Sequence, residues 1–285
     1  MLVNLKEILR LAEEKNIAVG CFNAPNLTSL RAVIRAAEEA AQPVVITHAQ
    51  IHEEKGLISM EEIAPIMLWY AQRAAVPVCV HLDHGTNMDY IKKALALGFT
   101  SVMYDGSERP LEENIANTKT VVELAHACGA SVEAELGSMG ARRGGFGGAT
   151  EASAEDKRTS IYTEPDVAAI FVKETQVDAL ACAFGTAHGF YSTTPKLDFA
   201  RLSALREAMN GLPIVMHGGS GVSDDDFREV INRGVRKVNY YTYMAKAGAE
   251  AVSNKTYTQF HDVLFDAERA IKEDVKKAIS VFAKL

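Results

Sequence analysis

Short apolar runs alternate with helix-period segments from one end of this 285-residue chain to the other. Eight runs have the length and the Val, Ile, Ala and Cys content of buried strands: IAVGCFN (17–23), PVVITHA (43–49), PVCVHLD (77–83), TSVMYDG (100–106), ASVEAEL (130–136), DALACAFG (178–185), PIVMHGG (213–219) and RKVNYYT (236–242). Between them, apolar residues recur every three to four positions. Thr28 is placed to cap a helix bearing Leu30, Val33, Ile34 and Ala37, and segments 60–74, 88–97, 112–127, 165–174, 198–209 and 224–233 behave likewise. This alternation predicts βα units and a parallel sheet. Eight units in a chain of this length fit a closed (β/α)8 TIM barrel, one α/β domain over 1–285, better than an open doubly wound sheet. The glycine-rich dinucleotide fingerprint that would follow a first doubly wound strand is absent.

Composition narrows the partners. A net charge of −7 gives no reason to expect nucleic acid or an anionic membrane as partner, and no apolar run is long enough to span a bilayer. The first sixteen residues carry charges throughout their apolar stretch. They read as an amphipathic helix with Leu2, Leu5, Leu9 and Ala12 on one face, not as a signal peptide. The four cysteines, Cys21, Cys79, Cys128 and Cys182, form no C-x-x-C pair, and the expectation is reduced thiols in a cytoplasmic protein.

Three histidines close apolar runs, and a glycine follows each: His84-Gly85, His188-Gly189 and His217-Gly218. The C-terminal ends of barrel strands are where this architecture places its chemistry. Three imidazoles plus an open position make the ligand pattern of a catalytic Zn²⁺ site. The histidines therefore predict one divalent metal at the barrel mouth. Asp83, beside His84, is placed to move a proton on a bound substrate or to orient its neighbour's imidazole; as a bland alternative it caps the next helix. His81 reads as a buried, satisfied residue. Glu133 and Glu135 share one strand face, where two carboxylates in an apolar run require a cation. Asp105 and Glu135 suit a second or alternative metal position, or a hydrogen-bonding role.

The last two runs end in glycine-rich or hydroxyl-bearing turns. His217-Gly218-Gly219-Ser220-Gly221 and Asn239-Tyr240-Tyr241-Thr242 suit phosphate binding by backbone N–H groups, with Ser220 and Thr242 adding hydroxyls, or are simply tight turns. Asn239 is placed to hold a substrate hydroxyl. One stretch breaks the rhythm: residues 137–163 begin with clustered glycines around Arg142 and Arg143 and read as a mobile active-site lid or a disordered loop.

With CFN, HLDHG, DGS, VEAELG, GTAHG-Y, TTPKLDF, HGGSGV and KVN--T in this order, nearly the whole chain resembles the class II metal-dependent aldolases, the branch with fructose-bisphosphate and tagatose-bisphosphate aldolases. The resemblance implies His84, His188 and His217 as catalytic zinc ligands and Asp105 and Glu135 as a second or alternative metal position. It implies Asp83 as the acid/base for the hydroxyl at the bond being cleaved. Gly189, Gly218, Gly219, Ser220, Asn239 and Thr242 would hold the dihydroxyacetone phosphate half of a sugar phosphate. A monovalent cation (Na⁺ or K⁺) near the phosphate and a homodimer or homotetramer are implied as well. The chemistry is consistent with the residues: retro-aldol cleavage leaves negative charge on an enediolate, which a Lewis acid stabilises by several kcal/mol. The fifth, sixth and seventh runs offer no lysine for a Schiff base.

The chain departs from the family pattern on one side. Arg143 stands where the family lid usually carries an acidic residue, Tyr240 and Tyr241 fill positions that are usually small or acidic and near the substrate chain, and His48-Ala49-Gln50 replaces a Ser- and Gly-rich turn. These positions concern the aldehyde half, so the expected aldehyde differs from glyceraldehyde 3-phosphate. Arg142 and Arg143 then either bind a distal anion or are solvated. Two rivals remain: a barrel metallohydrolase, disfavoured by the absence of H-x-H on the first run, and a non-catalytic triose-phosphate binder, favoured by the missing lid carboxylate.

Overall fold

In the computed structural model, which describes residues 1–137, 162–189, 191 and 195–285, every expected run forms a strand. A short strand β1 (Leu2–Val3) precedes β2 (Val19–Asn23), β3 (Val44–Ala49), β4 (Val78–Gly85), β5 (Ser101–Tyr104), β6 (Ser131–Leu136), β7 (Ala179–Cys182), β8 (Ile214–Met216) and β9 (Val235–Tyr240). All pairings are parallel, and strands β2 to β9 close on themselves through the β9–β2 and β4–β5 pairs. The protein is a (β/α)8 barrel.

The helices are α1 (Leu5–Lys15), α2 (Leu27–Ala40), α3 (Gln50–Glu54), α4 (Met60–Arg73), α5 (Met88–Ala96), α6 (Leu111–Ala127), α7 (Pro165–Thr175), α8 (Phe199–Ala208), α9 (Asp224–Asn232), α10 (Thr242–Ser253) and α11 (Phe260–Phe282). Helix α2 starts earlier than Thr28 suggests: the Asn26 side chain accepts from Ser29 N, which makes Asn26 the cap. Its expected face, Leu30, Val33, Ile34 and Ala37, is buried. Three helices go beyond the sequence expectation, namely α3, α10 and α11. Helix α11 packs along α2 and α10, burying Ile271, Val275, Ile279 and Phe282 at helical spacing. Leu2, expected on the first helix, belongs to β1, which pairs with the start of β4. Among the described residues no helix is long and apolar enough to cross a membrane. Cys21, Cys79 and Cys182 are buried free thiols, whereas Cys128 is exposed.

Strand alternation divides the sheet into two layers. Outward residues such as Ile46, Val80, Val132 and Leu180 pack against the helices. Inward residues at the N-terminal end, among them Val19, Val45, Cys79, Ala181 and Val215, meet Leu5, Ile8, Leu9 and Ala12 of α1. The amphipathic first helix thus plugs the barrel floor. Reciprocal bonds start it, Glu7 N to Asn4 Oδ1 and Asn4 N to Glu7 Oε2, both 2.9 Å. Leu9 is 1% exposed, so Leu9→Ala should destabilise the protein by about 3 kcal/mol through lost transfer energy and a residual cavity. Urea unfolding measures this, and a loss below about 1 kcal/mol would mean that α1 does not seal the floor.

Above the floor the interior turns polar. Cys79 is followed on the inner face of β4 by His81 and Asp83, Ser131 on β6 by Glu133 and Glu135, and Val215 on β8 by His217. All of these are buried.

Candidate metal centre

Alternation alone would turn His84 outward with Leu82. The backbone prevents this: His84 adopts φ 47°, a left-handed conformation uncommon outside glycine, and the β4–β5 register shifts between Leu82 and Gly85. The kink requires Gly85, because an added Cβ would lie 2.8 Å from the Met103 carbonyl oxygen and 2.9 Å from Ile91 Cγ1. At the end of β8, Gly218 has φ 66°, and a Cβ there would sit 2.5 Å from the Ala187 oxygen. The loops carrying His188 and His217 are therefore in direct backbone contact. The Tyr191 hydroxyl ties them, accepting from Ala187 N at 2.7 Å and donating to Gly218 O at 2.9 Å.

These devices bring the three histidines together. Ring centroids are 4.7 Å apart for His84–His217, 5.0 Å for His84–His188 and 5.7 Å for His188–His217. One ligand atom from each lies within 4.8 Å of the others, and the same holds for His84, Asp105 and Glu135. His84 Nδ1 is 2.7 Å from Asp105 Oδ2, and the Ser107 hydroxyl steadies that carboxylate by donating to Oδ1 at 2.7 Å. His217 Nε2 is 3.0 Å from Glu133 Oε1. On the His84 and His217 rings one nitrogen is thus oriented by a carboxylate. The other nitrogens, His84 Nε2 and His217 Nδ1, are buried without a hydrogen-bond partner among the described residues, as is Glu135 Oε2. The 3.3 Å approach of His217 Nδ1 to Glu135 lacks hydrogen-bond geometry. Buried polar atoms left unpaired around a shared space are costly unless a ligand such as a metal ion meets them. An imidazole trio with two of its rings oriented by carboxylates fits Zn²⁺.

The electrostatics follow from burial and from these pairs. Burial, together with the charges of His84 and His217, pushes His188 down to about 3 and keeps its lone pair free. Burial opposes charge on His84 as well, but Asp83 and Asp105 outweigh it and push the imidazole up to about 10. Burial works to raise Asp83, yet the positive charges of His84, Lys237 and His217 hold it well below the usual carboxylate range. Burial and the neighbouring Asp105 raise Glu135.

His81 is fully buried and only half satisfied. Its Nδ1 meets the Ser101 hydroxyl at 2.8 Å, while Nε2 has no hydrogen-bond partner among the described residues. His81, Asp83 and Glu133 form a third group with ligand-like spacing, but the Lys237 ammonium already lies 2.9 Å from Glu133 Oε2. Lys237 is the buried charge at this site that the sequence reading passed over. Burial works against its charge, but Glu133 and Asp83 raise its pKa above the usual lysine value, so it is not the free amine a Schiff base needs.

Of the expected substrate residues, Gly189, Gly218, Ser220, Asn239, Tyr240, Tyr241 and Thr242 line one cleft with Asp83, His84 and His188. Asn23 joins them, from the CFN segment. Thr242 begins the twelve-residue helix α10, whose N-terminus therefore opens at the cleft, and Ser220 Oγ accepts from Tyr241 N at 3.2 Å. Three of the expected positions make contacts within the protein. Gly219 donates its N–H to Asn239 O instead of leaving it free. The Tyr240 ring packs edge-on to Phe22 and Phe282, and burial together with the neighbouring Asp274 raises the pKa of its hydroxyl. Asn239, expected to hold a substrate hydroxyl, donates to Asp83. Arg142, Arg143 and most of the expected lid (138–161) lie outside the described residues.

Comparison with known proteins agrees with this geometry. Residues 3–284 match the family described as fructose-bisphosphate aldolase class-II. A fructose-bisphosphate aldolase of Staphylococcus aureus is 37% identical over 99% of this chain and 97% of its own. A 6-phospho-5-dehydro-2-deoxy-D-gluconate aldolase of Halalkalibacterium halodurans is 36% identical over 99% and 96%. The crystal structure of the YdjI aldolase from Escherichia coli K12 superposes with a TM-score of 0.86 at 36% identity, covering 99% of this chain and 97% of that one.

Proposed function

The chain belongs to the class II fructose-bisphosphate aldolase family, and from that premise we propose that it reversibly cleaves a ketose 1-phosphate or 1,6-bisphosphate to dihydroxyacetone phosphate and an aldehyde. The observation that carries this reading is the trio of His84, His188 and His217, with unpaired buried nitrogens on His84 and His217, two of whose members, His84 and His188, line one cleft with the ionised Asp83. Zinc held by these histidines supplies Lewis-acid stabilisation of the charge that develops as the carbon–carbon bond breaks. Asp105 and Glu135 orient the site or offer a second metal position. Asp83, ionised and fixed by Asn239, takes the proton from the hydroxyl at the scissile bond. Gly189, Gly218, Ser220 and the α10 N-terminus at Thr242 receive the phosphate, since a helix N-terminus and free N–H groups favour an anion. A Na⁺ or K⁺ ion beside that phosphate belongs to the same reading.

The aldehyde half is proposed to differ from glyceraldehyde 3-phosphate. Identity does not choose between substrates, because relatives named for two different ones stand at 37% and 36%. The departures do bear on it. Gln50, in the segment that replaces the Ser- and Gly-rich turn, opens α3 and accepts from Thr86 N and Asn87 N, bracing the loop that follows His84. Arg142 and Arg143 are the residues we propose to meet a distal anion on that aldehyde.

A coupled assay for dihydroxyacetone phosphate release across a panel of ketose phosphates tests both levels. Activity should vanish with a chelator and return with Zn²⁺. Another ketose 1-phosphate should exceed fructose 1,6-bisphosphate in kcat/KM. Activity indifferent to chelation would refute the metal route, and a clear preference for the bisphosphate would refute the altered aldehyde. A zinc-loaded protein that binds dihydroxyacetone phosphate without exchanging its proton would be a binder instead.

A further inference from the structure

A lysine sits inside the barrel, where an apolar side chain would fill the space at less cost. Lys237 and Asn239 share the inner face of β9, and Lys237 is fully buried. Its Nζ donates to Glu133 Oε1 at 3.1 Å, lies 2.9 Å from Oε2, and donates to Asn239 Oδ1 at 2.7 Å. An ammonium has three donors and no acceptor, so the Asn239 atom that meets it must be the oxygen. The amide nitrogen is thereby turned toward Asp83, donating to Oδ1 at 3.1 Å and Oδ2 at 3.2 Å. Without the ammonium the amide is free to turn over and set its oxygen against the carboxylate.

We propose that Lys237 is a positioning residue that acts through Asn239 to hold the Asp83 carboxylate at the hydroxyl of the scissile bond. This rests on the aldolase reading. Glu133 serves as the counterion that lets the lysine stay charged inside the barrel, and it also orients His217.

The two half-reactions separate this role from general support. Cleavage needs the hydroxyl proton that Asp83 handles, whereas proton exchange on dihydroxyacetone phosphate does not. Lys237→Met alone strands the Glu133 charge, so the charge-balanced pair Glu133→Gln with Lys237→Met is made beside it; the new amide still accepts from His217 Nε2. With zinc content equal to wild type, the paired variant should lose about 100-fold in kcat for cleavage. Its KM and its exchange rate should stay within about threefold of those of Glu133→Gln alone, the reference that absorbs any effect on His217. Adding Asn239→Ala should cost no more than about threefold further, because both changes break one chain of contacts.

Cleavage within about threefold of wild type would overturn the proposal, as would exchange falling by the same factor as cleavage or a full independent loss from Asn239→Ala. A wild type inert in both reactions would overturn the aldolase reading, and the proposal with it. That failure shows in the wild type, whereas failure of the lysine's role shows only in the variants.

Discussion

Asp83→Asn is expected to lower kcat for cleavage by about 10³-fold, within the range for loss of a positioned general acid or base. The substitution keeps the shape of the side chain and removes its ability to accept a proton. Asn239 Nδ2 still has an oxygen to meet, so the buried contact that now spans 3.1 Å survives. Asp83 belongs to the metal group of His81 and Glu133, where Lys237 already supplies the cation, and not to the His84–His188–His217 group. Zinc content should therefore be unchanged. Proton exchange on dihydroxyacetone phosphate should persist, since it bypasses the scissile hydroxyl. Steady-state cleavage kinetics on the preferred ketose phosphate, with metal analysis of the same samples, measures this. A loss below about tenfold would remove Asp83 from the proton transfer and leave it the role of orienting its neighbours.

Asp83 was legible from sequence because it adjoins a histidine at the end of an apolar run. The periodicities that placed it also placed all eight barrel strands and brought His84, His188 and His217 into one cluster. Lys237 was not legible, for a physical reason. In RKVNYYT it follows Arg236, and a basic pair reads as solvated charge. Alternation sends the two to different surroundings: Arg236 bonds Glu13 of α1 at 2.8 Å, while Lys237 turns into the barrel. Lysine is almost never fully buried unless paired, and its partner Glu133 lies 104 residues away. The only available signal was the converse one, that two inward carboxylates on β6 demand a cation and that β9 alone offers one at an inward position. Tyr240 lines the cleft, as its place beside Asn239 suggested, while alternation turns its ring onto Phe22 and Phe282. Helix α11 went unassigned although Ile271, Val275, Ile279 and Phe282 repeat at helical spacing.

The metal ligands carry the other large effect, and His188→Ala is the cleanest way to expose it. Among the described residues His188 makes no hydrogen bond or ion pair, whereas removing His84 or His217 would take a partner from Asp105 or Glu133. Losing one of three ligands should cost at least about 10³-fold in cleavage, since several kcal/mol of charge stabilisation convert at about 1.4 kcal/mol per decade. Unlike Asp83→Asn, it should abolish proton exchange together with cleavage and lower zinc content. Zinc uptake by the wild type should also release protons. Asp83 and Asp105 hold the metal-free His84 protonated up to about pH 10, and a ligand must be neutral to bind. Below that pH, protons compete with the metal, so the apparent zinc affinity rises with pH and about one or more protons leave per ion at pH near 7.5. Calorimetric titration of the metal-free protein in buffers of different ionisation enthalpy counts them. Zinc binding without proton release, or exchange surviving in His188→Ala, would place the reacting metal elsewhere than on these three histidines.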